Sequence, residues 1–324
     1  MQTRLVIFGI KILISSDNAV SDWIRHDYFG YVSDRLFIPD VCFDLFLEKP
    51  DYSGLPSVKA SGYHDSYIVY DSKDLRFVDF FGDALIKYLT SKRTVKIYCS
   101  SRDRLYDIFC LSFETLLGEL LDKRSFHRVH CLGIEKGGRA ALLLLPPGGG
   151  KTTLAFRFME AGGYGVLSDD MVLYRCKNVY GVHFRWGSRD LKKLSEGRLM
   201  KSKDYPDKVL ISTKHLKLKK SAAPGLMIVG HRISSRKSAI RKIGRLSLIM
   251  PLFKSMVLGL ELQQSLAFFL LRNFRDGFSK AGIGSSRLAS MVSLMLKSRA
   301  YEFRMGYDAE KNYLLLKEFL DREL

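Results

Sequence analysis

The sequence contains no run of about 18 consecutive apolar residues, which is the length that a transmembrane helix needs. Its opening segment, residues 1–11, also lacks the small-residue cleavage site of a secretory signal. From these two absences we expect a soluble, cytoplasmic protein without a transmembrane segment.

Cysteine is scarce, because the 324 residues include five and no two of them form a C-x-x-C pair. Structural zinc sites and disulfide frameworks require clustered or regularly spaced cysteines, so this scatter argues against both. The flanking residues are apolar or strand-like, and we therefore expect buried, reduced thiols. The cysteines are Cys42, Cys99, Cys110, Cys131 and Cys176.

Acidic residues are outnumbered in the second half of the chain only. Residues 1–125 carry 16 basic and 18 acidic residues, whereas residues 126–324 carry 36 and 16. The excess is densest in residues 176–255, with 20 basic and 4 acidic residues. Such a field suits a polyanionic ligand, although a lysine-rich solvated surface has the same composition. Because helix-turn-helix, zinc-finger and RNP-like patterns are absent, we expect no stable nucleic acid partner.

A glycine-rich stretch, Leu145 to Thr153, follows an apolar run and precedes a predicted helix over 152–161. It matches the phosphate-loop pattern G-x-x-x-x-G-K-[ST], except that Leu145 occupies the first glycine position. In such a loop the backbone N–H groups and the helix N-terminus bind phosphate, Lys151 reaches the β- and γ-phosphates, and the Thr152 hydroxyl holds Mg²⁺. We therefore predict ATP and Mg²⁺ as cofactors. The residues expected to contact the nucleotide are Pro147, Gly148, Gly149, Gly150, Lys151, Thr152 and Thr153.

Two adjacent carboxylates, Asp169 and Asp170, follow a predicted strand over 164–167. In a phosphate-loop fold the neighbouring parallel strand carries a carboxylate at its carboxyl end, close to Mg²⁺ or to the nucleophile. The two carboxylates could divide these tasks. A turn that uses Asp-Asp for its backbone preferences is the simpler alternative.

Hydrophobic patterning predicts two domains. Strand patterns, of which the first predicts a single strand over residues 4–15, and a helix over 105–121 indicate a strand-rich α+β domain over 1–125, with a role in substrate recognition or assembly. After a polar break at 122–125, a hairpin leads into the phosphate loop, and strands and helices then alternate, including an apolar helix over 260–274. Residues 126–324 are therefore predicted to form an α/β phosphate-loop domain.

The phosphate loop, the Ser168–Asp170 turn and His130, 21 residues before Lys151, together resemble the HPr kinase family of phosphate-loop kinases, which phosphorylate a serine on a protein. Residues 8–12 and 287–308 look similar to a subgroup that phosphorylates the C-terminal serine of lasso peptide precursors. The resemblance implies an HPr-kinase-like domain, a peptide substrate with an acceptor serine, and a possible homo-oligomer. Thr153 stands where HPr kinases carry an acidic residue, which argues against HPr itself as the substrate.

The resemblance also implies roles. Asp169 would accept the proton of the serine hydroxyl, and Lys151 would hold the transferred phosphate. His130 would orient that hydroxyl or stabilise charge. Asp170 would bind Mg²⁺ with Thr152, although the two aspartates could exchange roles. The alternatives are a kinase acting on free serine or a nucleoside, and a non-enzymatic, nucleotide-dependent module that binds nucleic acid or membrane. The aspartate pair favours a kinase, because a nucleotide sensor needs no acceptor-facing base.

Overall fold

The structure is a computed structural model that describes residues 1–146, 148–188, 197–200, 207–258 and 277–324. It is a mixed α/β protein with large, strand-rich sheets and several helices, which confirms the expected fold class at that level. The predicted apolar helix over 260–274 lies outside the described residues. No helix in the described part of the chain is long and apolar enough to cross a membrane.

The chain divides into two compact units. The first contains Met1–Leu120 and the described part of Gly187–Lys214. The sequence put the boundary at 122–125 and assigned residues 187–214 to the second domain. Polar composition marks a break in the chain, but it does not show that a later segment returns to the first unit. The second unit contains the described residues of Leu121–Trp186, His215–Leu266 and Phe278–Leu324.

The first unit is built on an eight-stranded sheet in the order β1-β2-β3-β8-β7-β6-β5-β4. Ring contacts between Phe43 on β3 and Phe109 and Phe113 on α2 form part of its core. The elements are β1 (Gln2–Ile7), β2 (Ile10–Ser15), α1 (Asn18–Asp27), β3 (Val41–Phe46), β4 (Ala60–His64), β5 (Tyr67–Asp71), β6 (Leu75–Asp79), β7 (Ala84–Leu89), β8 (Thr94–Cys99) and α2 (Arg102–Lys123).

The prediction of one strand over residues 4–15 is wrong. Phe8 and Gly9 have positive φ angles of 48° and 80°, so the chain reverses and pairs Ile7 with Ile10 in an antiparallel hairpin. Two residues with positive φ form a tight hairpin turn, and glycine is the usual residue for that conformation. Phenylalanine is not, which is why the apolar run concealed the turn.

The remaining elements are mostly strands. Between residues 171 and 242 the described residues contain no α-helix. From residue 277 onward a helix, a strand and a second helix follow one another, which agrees with the predicted alternation of strands and helices. The elements are β9 (His127–His130), β10 (Leu132–Lys136), β11 (Arg139–Leu144), α3 (Lys151–Glu160), β12 (Gly165–Ser168), β13 (Met171–Arg175), β14 (Asn178–Gly181), β15 (Trp186–Ser188), β16 (Gly197–Met200), β17 (Lys208–Ile211), β18 (Ser221–Arg232), β19 (Ala239–Lys242), α4 (Ile249–Leu252), a π-helix (Phe253–Leu258), α5 (Gly277–Lys297), β20 (Arg299–Met305) and α6 (Ala309–Glu323).

The sheet of the second unit runs β12-β10-β11-β18-β14-β13-β9, and β20 pairs with both β18 and β19. Strands β11, β18 and β20 are parallel, so their carboxyl ends meet at one edge. The strand β12 runs in the same direction as β11 but is not its neighbour, because β10 lies between them and is antiparallel to both. The prediction that the aspartates follow the neighbouring parallel strand is therefore wrong, although they still reach the same edge.

All five cysteines are free thiols. Cys99, Cys110 and Cys131 are buried as expected, whereas Cys42 is half-buried and Cys176 is exposed. Cys176 lies in the two-residue turn between β13 and β14, where its φ is 47°. The expectation of a buried thiol at that position is wrong because a tight turn faces solvent.

Candidate functional site

The glycine-rich loop needs glycine at three positions, for two backbone reasons. Gly148 and Gly150 have φ angles of 70° and 90°, a region that favours glycine. At Gly149, a Cβ atom would lie 2.7 Å from the carbonyl oxygen of Pro146, which accepts a hydrogen bond from the Gly149 N–H. Gly150 precedes the first residue of α3, Lys151, so the loop ends at a helix N-terminus that can bind an anion. Pro147 lies outside the described residues.

Leu145, at the first glycine position of the motif, is a core residue and is 3% exposed. Its side chain lies over Gly230 on β18, where a Cβ atom would be 2.2 Å from Leu145 Cδ2. Leucine can therefore replace the first glycine of the motif because the adjacent parallel strand has a glycine, Gly230, which leaves space for its side chain. The role of Gly230 does not follow from the sequence, because no motif connects it to a loop about 80 residues earlier.

The ammonium group of Lys151 is held inside the site, and the residue is 9% exposed. Its Nζ lies 2.7 Å from His130 Nε2 and donates to the carbonyl oxygen of Leu145 at 3.2 Å. Because an ammonium can only donate, His130 Nε2 accepts this hydrogen bond, which assigns the proton of a neutral ring to Nδ1. His130 thus helps to hold the ammonium group of Lys151 beside the start of the phosphate loop.

His130 ends β9, and its backbone is fixed by Ser255, a residue that no sequence motif indicates. Ser255 Oγ accepts a hydrogen bond from the His130 N–H at 2.9 Å and donates one to the His130 carbonyl oxygen at 3.2 Å. Ser255 belongs to the π-helix, and such segments are frequent at functional sites. Arg287 holds the same π-helix through Nη1, which donates to the Val257 carbonyl oxygen at 3.0 Å.

The two aspartates that follow β12 have different surroundings. Asp169 is 5% exposed and accepts a hydrogen bond from Thr152 Oγ1 at 2.8 Å. The side chain of Asp170 is 58% exposed, and its Oδ1 lies 3.4 Å from His130 Nε2 and 3.5 Å from Lys151 Nζ. The buried carboxylate therefore faces the loop threonine, while the exposed one lies beside the lysine and histidine.

Burial raises the pKa of Asp169 to about 7, and the negative charge of Asp170 acts in the same direction. The hydrogen bond from Thr152 and the charge of Lys151 oppose this shift in pKa. The carboxyl group is thus poised to change its charge near neutral pH.

This shift in pKa makes the stability of the protein dependent on pH. Because the carboxyl group ionises less readily in the folded protein than in the unfolded chain, the folded state binds more protons between about pH 4 and 7. Stability therefore falls as the pH rises through that window. Through this carboxyl group the wild type should lose about 2–3 kcal/mol of its free energy of unfolding between pH 5 and pH 8. An Asp169→Asn variant has no carboxyl group at this position and should not show that loss, so its stability relative to the wild type rises by the same amount. Urea unfolding of both proteins at the two pH values measures this gain, and an equal pH response in both would contradict it.

The oxygen donors at the loop suit a small, hard cation. Within the described residues no group of three or more His, Cys, Asp and Glu side chains could hold a metal ion. Mg²⁺ needs no such cluster, because it is commonly bound by one or two carboxylates together with substrate phosphates and water. The Thr152 hydroxyl and the Asp169 carboxylate are adjacent, and their chemistry fits Mg²⁺ bound together with a nucleotide.

The structure brings most of the predicted residues together. They converge where β9, β11 and β12 end, beside the glycine loop. These residues are Lys151, Thr152, Asp169, Asp170 and His130. Thr153 lies in the first turn of α3 with an exposed side chain, and its contact with the nucleotide stays a prediction. No protein-family model matches this chain, and no curated protein sequence matches it significantly.

Proposed function

We propose that this protein is an ATP- and Mg²⁺-dependent kinase that phosphorylates the serine hydroxyl of a peptide. The observation that carries the proposal is the convergence of a glycine loop and Lys151 with two carboxylates and a histidine within hydrogen-bonding distance. Phosphoryl transfer requires mainly positioning and charge neutralisation, and these groups supply both. The resemblance to HPr kinases, and to the subgroup that acts on lasso peptide precursors, agrees with this activity in the cytoplasm.

The geometry favours a division of labour between the aspartates that is opposite to the one implied by the resemblance. In phosphate-loop enzymes, Mg²⁺ is held by the loop Ser or Thr and by a carboxylate, and here Thr152 bonds to Asp169. An acceptor-facing base must be reachable from solvent, and Asp170 is the exposed carboxylate. We therefore assign Thr152 and Asp169 to Mg²⁺, which would neutralise charge on the phosphate oxygens, and Asp170 to the acceptor hydroxyl.

The groups of this chain then act together in the transfer of the γ-phosphoryl group to the serine hydroxyl. The serine oxygen forms a bond to the γ-phosphorus as the bond from that phosphorus to the bridging oxygen of ADP breaks. Asp170 accepts the hydroxyl proton, and Lys151 and the loop N–H groups stabilise the charge on the transferred group and on the leaving oxygen. His130 holds the ammonium of Lys151 in place through Nε2.

The test uses γ-labelled ATP, Mg²⁺ and a serine-containing peptide, with the Asp170→Asn and Asp169→Asn variants as a matched pair. Asp170→Asn should lower the rate of transfer at least about 10²-fold, because it removes the general base, while ATP binding and the Mg²⁺ requirement stay unchanged. Asp169→Asn should instead raise the Mg²⁺ concentration needed for half-maximal transfer. The readouts are label on the peptide and Mg²⁺ titrations.

Other outcomes would change the assignment. Full activity of Asp170→Asn would return the role of base to Asp169. Label transferred to free serine or a nucleoside rather than to the peptide would indicate a small-molecule kinase. ATP binding without transfer, together with salt-sensitive binding of RNA or vesicles, would indicate a non-enzymatic module.

A further inference from the structure

A short basic loop follows β18, the strand next to β11. It spans residues 233–238, and the adjoining Arg232 and the loop residues Arg236 and Lys237 are all exposed. These residues belong to the basic region of the sequence, but composition alone could not distinguish a ligand site from a solvated surface.

Strand register brings this loop to the edge of the sheet where the phosphate loop lies. Strands β11 and β18 are parallel, with Leu144 opposite Val229, and Gly230 lies against Leu145. Both strands leave the sheet in the same direction. β11 continues into the glycine loop, and β18 continues into the basic loop. In open α/β sheets, ligands bind outside the carboxyl ends of the strands, which is the edge where both loops lie.

The basic loop is held in one conformation by the end of β20, the segment that follows it and α6. The Ile233 N–H donates to the Met305 carbonyl oxygen at 2.9 Å, and the Tyr307 N–H donates to the Ser235 carbonyl oxygen at 3.0 Å. Ser238 Oγ donates to Asn312 Oδ1 at 2.5 Å. Because the loop is preorganised, its cations require little further ordering when a ligand binds.

The three cations lack compensating charge. Among the residues that the structure describes, Arg232, Arg236 and Lys237 have no acidic partner within 4.0 Å. The acidic residues on adjoining segments are already engaged, since Glu302 pairs with Arg241 and Arg304. Asp308 accepts hydrogen bonds from two N–H groups at the start of α6. A fixed group of uncompensated cations attracts an anion.

We infer that the basic loop binds acidic side chains of the acceptor peptide and directs its serine to the phosphate loop. This inference rests on the proposed function. The glycine loop and Lys151 already serve the phosphates of the donor, so the neighbouring loop is available to the acceptor. We assign a peptide rather than RNA because the proposed kinase requires a peptide acceptor, and because acidic side chains complement the charge of the loop. The exposed ring of Tyr307 lies beside the loop, so RNA is included in the test.

The test measures binding of a fluorescein-labelled peptide, with a serine flanked by Asp and Glu, and of its twin with Asn and Gln. The wild type should bind the acidic peptide about tenfold more tightly than its twin at low salt. The Arg236→Ser/Lys237→Ser variant should lose most of this preference. The matched control is Lys217→Ser/Lys220→Ser, which removes two exposed lysines that precede β18 at its opposite end and should keep the preference. Circular dichroism and unfolding midpoints verify that both variants fold.

Three results would overturn the inference. In the first, the loop variant binds the acidic peptide as tightly as the wild type. In the second, it loses affinity for a fluorescent ATP analogue instead, which would assign the loop to the donor. In the third, an RNA oligonucleotide binds the wild type more tightly than the acidic peptide does. Failure of the wild type to bind the ATP analogue would contradict the proposed kinase, but it would leave the peptide comparison interpretable.

Discussion

Replacing Lys151 with methionine is expected to lower phosphoryl transfer about 10³-fold while the protein stays folded. The side chain contributes the ammonium nearest to the loop, and methionine fills the space of its stem without the charge. Removal of one neutral donor from a transition-state site lowers rates about 10²- to 10³-fold, and a cationic group contributes more. Transfer at saturating ATP and Mg²⁺ measures the effect, and urea unfolding verifies the fold.

The matched control is Lys151→Arg, which keeps the charge. A guanidinium is planar and cannot reproduce the compact ammonium that lies between His130 Nε2 and the Leu145 carbonyl oxygen. We therefore expect its activity to lie between those of the wild type and the methionine variant. Unchanged transfer by Lys151→Met would exclude the loop lysine from the chemistry.

Replacing Gly230 with alanine is expected to lower the free energy of unfolding by about 1–3 kcal/mol, because the new Cβ would lie 2.2 Å from Leu145 Cδ2. Leu145 cannot move easily, since it is packed among Leu143, Leu154 and Phe303 in the core that supports the loop. The added methyl should therefore also displace the start of the phosphate loop. Urea unfolding and binding of a fluorescent ATP analogue measure the two effects.

A double-mutant cycle with Leu145→Ala isolates this contact. Once Leu145 is truncated, the alanine at position 230 has space, so the second substitution should add little further loss. Gly244→Ala is the matched control, because a Cβ atom at position 244 meets no other atom within 4 Å. A loss from Gly230→Ala that is the same with and without Leu145 would contradict the proposed compensation.

The parts of the site that could be predicted from the sequence are those encoded locally. The glycine loop, Lys151 and Thr152 follow from one strand-turn-helix pattern, and Asp169 and Asp170 follow from the end of the next predicted strand. The aspartates lie about 18 residues after the loop lysine. They still reach the same edge of the sheet as the loop, because β12 runs in the same direction as β11. His130 was identified through a family resemblance only.

The parts that could not be predicted depend on pairings between distant segments. Strand order is one example, since the antiparallel pairing of β10 with β12 has no signature in either strand. Gly230 and Ser255 are others, because each acts through a residue about 80 to 125 positions away along the chain. The hairpin at Phe8 and Gly9 was missed for a local reason, as an aromatic residue occupies a turn position that usually carries a small or polar one.

The contact of Leu145 with Gly230 constrains the order in which mutations can accumulate in this protein. A leucine at the start of the loop and a residue larger than glycine at position 230 would overlap, so each costs less stability when the other is small. A leucine at position 145 is therefore favoured when position 230 already holds glycine, and an alanine at position 230 is favoured after Leu145 has become smaller. The two positions are therefore expected to change as a pair, even though they lie in different segments of the sequence.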